Sequence, residues 1–224
     1  MVRFIVLVLF GCITLQTDLL AQQMTEGMVS FDITYPNLPE NKKQQAIYLP
    51  SNMYVLLKGD QVRMELKTIL GPVISLTNSK TRESYVLSEM MGKKLAMHST
   101  FDQVKKVADK LRRDNPVPPK QVNYTGKTKK IAGYTCKHML LKTVIDGLPV
   151  ILDAYYTEDI PPMINDLFNN GYDIEMKGFL MQYKVIQDGM EVVYTATAVE
   201  PKAISDDLFL VPKEFEIVPQ FSGY

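Results

Sequence analysis

Apolar and polar residues alternate with a period of two along most of this chain. Val29, Phe31, Ile33 and Tyr35 stand between Ser30, Asp32 and Thr34, the pattern of a half-buried strand, and Pro36 ends it. Residues 37–45 are polar and read as a loop. Residues 53–58 and 61–67 flank Gly59-Asp60 as a hairpin, with Val62, Met64 and Leu66 on one face and Gln61, Arg63 and Glu65 on the other. Residues 73–77 and 84–90 pair around Asn78-Ser79-Lys80, and 93–98 continues the meander after Gly92. The period then changes. Phe101, Val104, Val107, Ala108 and Leu111 recur at helical spacing, with Lys105, Lys106, Lys110, Arg112 and Arg113 on or beside the opposite face. Thr100 and Gln103 fit a capping box, and Pro116, Pro118 and Pro119 stop the helix, which therefore spans Thr100 to Arg113.

The second half is organised around residues 127–162. After a strand at 122–126, a basic turn at Lys129-Lys130 leads into a hairpin of strands 134–145 and 148–156. Asp146-Gly147 at its bend supplies the two positive φ values of a type I′ turn. This hairpin is expected in the middle of an antiparallel sheet. Met163, Ile164, Leu167 and Phe168 suggest a short second helix, stopped by Asn169-Asn170-Gly171. Residues 178–187 and 190–199 form a last hairpin around Asp188-Gly189, and the stretch from Ile204 to Pro212 turns Phe209 back onto the core. With no repeat and no low-complexity linker, residues 22–224 read as one domain.

Composition narrows the function classes. Lys+Arg and Asp+Glu both number 25, so no net field draws the chain to nucleic acid or an anionic membrane. Arg3 followed by the mostly apolar run from Phe4 to Leu15, with Leu19-Leu20-Ala21 before Gln22, reads as an export signal spanning residues 1–21, which implies a periplasmic or secreted protein. An alternative takes Leu9-Phe10-Gly11-Cys12 as a lipoprotein box with Cys12 acylated. The run is too short and interrupted for a membrane anchor, and no later stretch could span. Once the signal is removed, Cys136 is the only cysteine and is expected to be buried in the core.

Candidate chemistry is sparse. His98 and His138 are the only histidines, too few and too far apart for a helical zinc motif, so no metal or other cofactor is expected. Cys136 and His138 share a strand face if that strand is regular. The pair reads either as a nucleophile with its base or, more simply, as neighbours in a wall. Glu158-Asp159 with Asp153 has no spacing that separates acid-base chemistry from solvated loop acids. What remains is an apolar face: Val62, Met64, Leu66, Leu95, Met97, Phe179, Met181, Val192 and Tyr194 converge on one inner wall, which is either a place for a hydrophobic guest or simply a core.

Five stretches carry a family resemblance. The block Gly126-Lys127-Thr128-Lys129-Lys130-Ile131-Ala132-Gly133-Tyr134-Thr135-Cys136-Lys137, then Tyr155-Tyr156-Thr157-Glu158-Asp159-Ile160, then Gly178-Phe179-Leu180 with the ending Phe209 to Pro212, and the early hairpin from Leu57 to Glu65 resemble the DUF4412 family of exported Bacteroidetes proteins. The Ala21-Gln22 junction is similar to signal cleavage sites of that group. More distantly, the chain resembles the lipoprotein carriers LolA and LolB, although none of their functional residues can be placed here. That resemblance implies a mainly β fold of α+β type: an open antiparallel half-barrel wrapped around one main amphipathic helix and a short second one. The expectation that follows is a non-enzymatic exported protein. It would hold a lipid, a lipoprotein acyl chain or another hydrophobic ligand against Met64, Leu66, Met97, Phe179, Met181 and Tyr194. The alternative is a structural or interaction module of the cell envelope without a small-molecule ligand.

Overall fold

A computed structural model describes residues 24–220 except 91, 115–120, 146–147, 163–175 and 188–189. Its elements are β1 (Glu26–Thr34), β2 (Asn52–Lys58), β3 (Gln61–Thr68), β4 (Gly71–Asn78), β5 (Glu83–Met90), β6 (Lys93–Thr100), α1 (Phe101–Asp114), β7 (Gln121–Ile131), β8 (Tyr134–Ile145), β9 (Leu148–Thr157), β10 (Phe179–Gln187), β11 (Met190–Pro201) and β12 (Glu216–Pro219). All twelve strands join one open sheet in the order β12-β6-β5-β4-β3-β2-β1-β11-β10-β9-β8-β7. The protein is therefore mainly β, and β1 is the seam that joins its two meanders.

The sheet is curved. A flat sheet would hold β7 and β11, four positions apart, roughly 19 Å from each other, yet residues of the two strands come within 8 Å. Register shifts between Tyr124 and Thr128, Leu180 and Gln182, and Ser30 and Phe31 supply local bends of the kind that bulges impose.

Several expectations from the sequence hold closely. The hairpins β2–β3 and β8–β9 form in the anticipated register, and Thr100 caps α1 reciprocally: Gln103 N–H donates to Thr100 Oγ1 at 3.2 Å and Thr100 N–H donates to Gln103 Oε1 at 2.8 Å.

Others are corrected. The polar stretch after β1 is a 3₁₀ helix over Glu40–Tyr48 rather than a loop, and it buries none of its residues. Lys129 and Lys130 are not a turn but strand residues paired with Cys136 and Thr135. The turn falls at Ala132-Gly133, with φ of 46° and 87°; glycine takes the second at little cost, whereas Ala132 holds an uncommon left-handed backbone. The β8–β9 hairpin lies beside the β7 edge, not in the middle, because β1, drawn from the far N-terminal side, takes the central place between β2 and β11. Nor is the sheet wholly antiparallel: β12 runs parallel to β6. The second helix, the Asp146-Gly147 and Asp188-Gly189 bends, residues 1–21 and Cys12 lie outside the described residues.

That parallel pairing has a cause in the chain's last stretch. Ile204 and Phe209 bury against Leu56 on the outer face, with Met28 and Tyr54 packed around them. Val211 and Phe215 then pack on Leu76, Leu87 and Ala96. Lys58 Nζ donates to the Ile204 carbonyl at 2.7 Å and Arg63 Nη1 to the Leu208 carbonyl at 3.1 Å, so this strap is tied to β2 and β3 as it crosses. It delivers the chain to the far edge, where β12 adds to β6.

Candidate functional site

Cross-strand partners share a face, so the register alone assembles the inner wall. One row of direct partners runs Val199, Val29, Val55, Met64, Ser75, Val86, Met97. A second runs Ala196, Phe31, Met53, Leu66, Val73. Tyr194 joins the same face as the partner of Ile33. The expected wall residues on β3, β6 and β11 thus lie on one side of the sheet, and Phe179 and Met181 belong to the core cluster built on that side.

Cover along these rows is uneven. Val29 and Val55 have no exposed surface and Met64 keeps 6%, whereas Val86 and Met97 at the far end of the first row are only half-buried. In the second row Phe31 and Met53 are sealed at 1% exposure while Val73 rises to 37%. Leu66 lies between them, half-buried and packed against the main core. At the other side of the molecule Phe179 and Met181 are wholly enclosed, with the Phe31 and Phe179 rings 6.1 Å apart. Tyr194 stacks on Tyr183 at 4.5 Å, and burial raises the pKa of both hydroxyls. The inner face is filled over β8–β11, β1 and β2, and its cover thins across β3–β6, where Val62, Met64 and Ser99 are still buried but Leu66, Val73, Val86 and Met97 are not.

α1 follows β6 without an intervening loop. Phe101, Val104 and Val107 are half-buried, Lys105, Lys106 and Lys110 face solvent, and none of the described α1 side chains belongs to the buried cores.

The thiol and imidazole singled out in the sequence do not work together. Cys136 is fully buried, donates at 3.6 Å to the Tyr134 carbonyl, and has its pKa pushed up to about 11, chiefly by that burial. His138, 6% exposed, has both ring nitrogens engaged elsewhere: Nδ1 lies 2.7 Å from Thr125 Oγ1 and Nε2 lies 2.8 Å from Asp153 Oδ1. A neutral imidazole satisfies both when it donates from Nε2 to the carboxylate and accepts from the threonine hydroxyl. No nitrogen is left to act as base for Cys136. The His138 cluster lines a polar groove of about 410 Å³ with Tyr155, Gln182 and Lys184. Sequence spacing could not have found it, because Thr125, His138 and Asp153 come from three strands.

Glu158 is likewise committed, paired with Lys137 at 2.8 Å, and among the described residues no three His, Cys, Asp or Glu side chains cluster as metal ligands. No helix among them is long and apolar enough to cross a membrane.

Residues 42–162, more than half of the chain, match the family described as Domain of unknown function (DUF4412). The chain belongs to the DUF4412 family. The matched segment runs from the 3₁₀ helix through β9, so it includes the loosely covered strands β3–β6 and the β8–β9 hairpin but omits β1, β10 and β11, which join those two parts into one sheet. No curated protein matches the chain. Among solved structures it is similar to the Mycobacterium tuberculosis lipoprotein LppX, with 7% identity and a TM-score of 0.41, covering 81% of this chain and 89% of that one. It is also similar to LprF from Mycobacterium bovis, with 12% identity and a TM-score of 0.32, covering 83% and 92% respectively.

Proposed function

We propose that this DUF4412 protein is an exported, non-enzymatic carrier that shelters a lipid or similar hydrophobic ligand against the inner face of β3–β6. The observation that carries the reading is the thinning of cover along continuous apolar rows: from sealed Val29 and Phe31 the same face runs on to half-buried Met97 and to Val73 at 37% exposure. The apolar run thus goes on past its cover. In this reading Met64, Leu66 and Met97 contact the guest, and Phe179, Met181 and Tyr194 form the filled side that sets how far it penetrates. α1, tethered to β6 by its capping box, is the mobile cover, so the sheet wraps a helix only when the site is closed. Burial of apolar surface at about 25 cal/mol per Å² supplies the affinity, and the small, half-buried Ser75, Ser84 and Ser88 stand between the apolar positions. The domain extends beyond the family segment to residues 22–224, and the export signal places it in the periplasm or outside the cell.

Native mass spectrometry after gentle purification, with titration of a fluorescent fatty-acyl probe, tests this. The expected result is a co-purified lipid or saturable probe binding that Met97→Lys weakens at least about tenfold while the far-UV spectrum is unchanged. Neither lipid nor probe binding, or binding indifferent to Met97→Lys, overturns it.

A further inference from the structure

The strap that crosses the outer face does not lie flat on it throughout. Between the strap and strands β3–β5 is a pocket of about 420 Å³, within the range of small-molecule sites. Its two ends differ in chemistry because they are successive cross-strand rows on one face. The inner row pairs Leu76 with Tyr85 and forms an apolar floor beneath Phe209 and Val211. The outer row pairs Asn78 with Glu83 and forms a polar rim. Among the described residues that line the pocket, Glu83 is the only charged one.

The Glu83 carboxylate has one basic neighbour, an imidazole that makes no hydrogen bond to it. That neighbour is His98, stacked on Tyr85 at 4.7 Å, whose Nε2 lies 3.4 Å from Glu83 Oε1, within ion-pair range when protonated, and has no hydrogen-bond partner among the described residues. The rim therefore presents a carboxylate on the same strand face as the Tyr85 ring, one side of which His98 covers, at the mouth of an apolar slot. That combination suits an ammonium group, which a carboxylate attracts by charge and a tyrosine ring by its quadrupole. It disfavours the carboxylate of a fatty acid. Burial and the Glu83 carboxylate together raise the Tyr85 hydroxyl pKa, consistent with a negative potential at this end.

We propose that this strapped pocket is a second binding site, separate from the inner face, for a small cationic amphiphile: an alkyl chain between Leu76 and Val211, with an ammonium head between Glu83 and Tyr85. Charge selectivity distinguishes it from the inner wall, whose contact residues carry no charge.

Decylammonium, decanol and decanoate, titrated calorimetrically at pH 8, provide the test, with amide chemical shifts locating each ligand. Decylammonium should bind roughly tenfold more tightly than decanoate, the sum of one half-exposed attraction and one repulsion of similar size, and should shift amides at Leu76, Asn78, Tyr85 and Val211. Glu83→Gln should remove the preference, Glu83→Lys should invert it, and Val211→Trp should fill the slot and abolish the shifts. Equal binding of decanoate, shifts confined to the inner face, or selectivity that survives Glu83→Gln overturns the proposal. Loss of acyl-probe binding at the inner wall leaves these results untouched, so the two sites fail independently.

Discussion

Burial of the Cys136 thiol has a consequence for pH dependence. The folded state holds this group protonated, with its pKa raised from 9.0 to about 11. Below pH 9 the thiol is neutral in both folded and unfolded chains and its contribution is whole. Between 9 and 11 the unfolded chain ionises first, and stability falls by about 2 to 3 kcal/mol as the pH rises through the folded value. The Tyr183 hydroxyl, also pushed up by burial, adds a loss of the same sign at higher pH. Urea midpoints measured from pH 8 to 11 should decline, and Cys136→Ala should flatten the first part of that decline. In the native protein at pH 8, iodoacetamide should leave Cys136 unmodified and react only after unfolding. At His138 the same kind of argument runs through hydrogen bonds. His138→Ala removes the shared partner of Thr125 and Asp153 and leaves a void at a site only 6% exposed. A cost of about 2 to 3 kcal/mol in denaturant unfolding is expected. The buried thiol was legible in the sequence as an apolar strand residue. The imidazole's partners were not, since hydrogen bonds across three strands depend on register and on the bulge in β7.

Among the elements, the junction of β9 and β10 is the least forgiving. A Cβ on Gly178 would stand 2.1 Å from the Thr157 carbonyl oxygen, closer than any nonbonded contact allows. Gly178→Ala must push β10 off β9 and is expected to cost about 2 to 3 kcal/mol, read as a lowered urea midpoint with unchanged secondary structure at low denaturant. Strand spans were readable at this scale because alternation with a period of two survives wherever one face is buried. The same signal mistook Lys129 and Lys130 for a turn: both are exposed on an edge strand, where no burial forces an apolar residue and charge is tolerated. The strap was partly legible. Phe209 announced a return to the core, but to the outer face rather than the inner one, and nothing in Glu216–Pro219 distinguishes a parallel edge strand from a loose tail.

For the whole molecule, β1 and the β10–β11 hairpin stand between the two parts of the family segment. A fragment of residues 42–162 would present the β2 edge and the β9 edge unpaired and would lose Val29, Phe31, Phe179 and Met181 from the core. It should show no cooperative urea transition, whereas residues 22–224 should show one. A fragment that unfolds cooperatively would mean that the segment is a domain in its own right.

Alternation of side chains determined from the sequence alone that this is a mainly β protein, which residues of strands such as β1 and β3 share a face, and where the single described α-helix begins, because these are local properties set by periods of two and 3.6 and by a capping pair. Strand order was decided only in three dimensions. β1 pairs with β11 from the opposite end of the chain, a choice made by packing Phe31 against Phe179 and Tyr183 rather than by any neighbouring residue. From that order follow the sealed half of the inner face, its loosely covered half, and the pocket beneath the strap, none of which has a local signature.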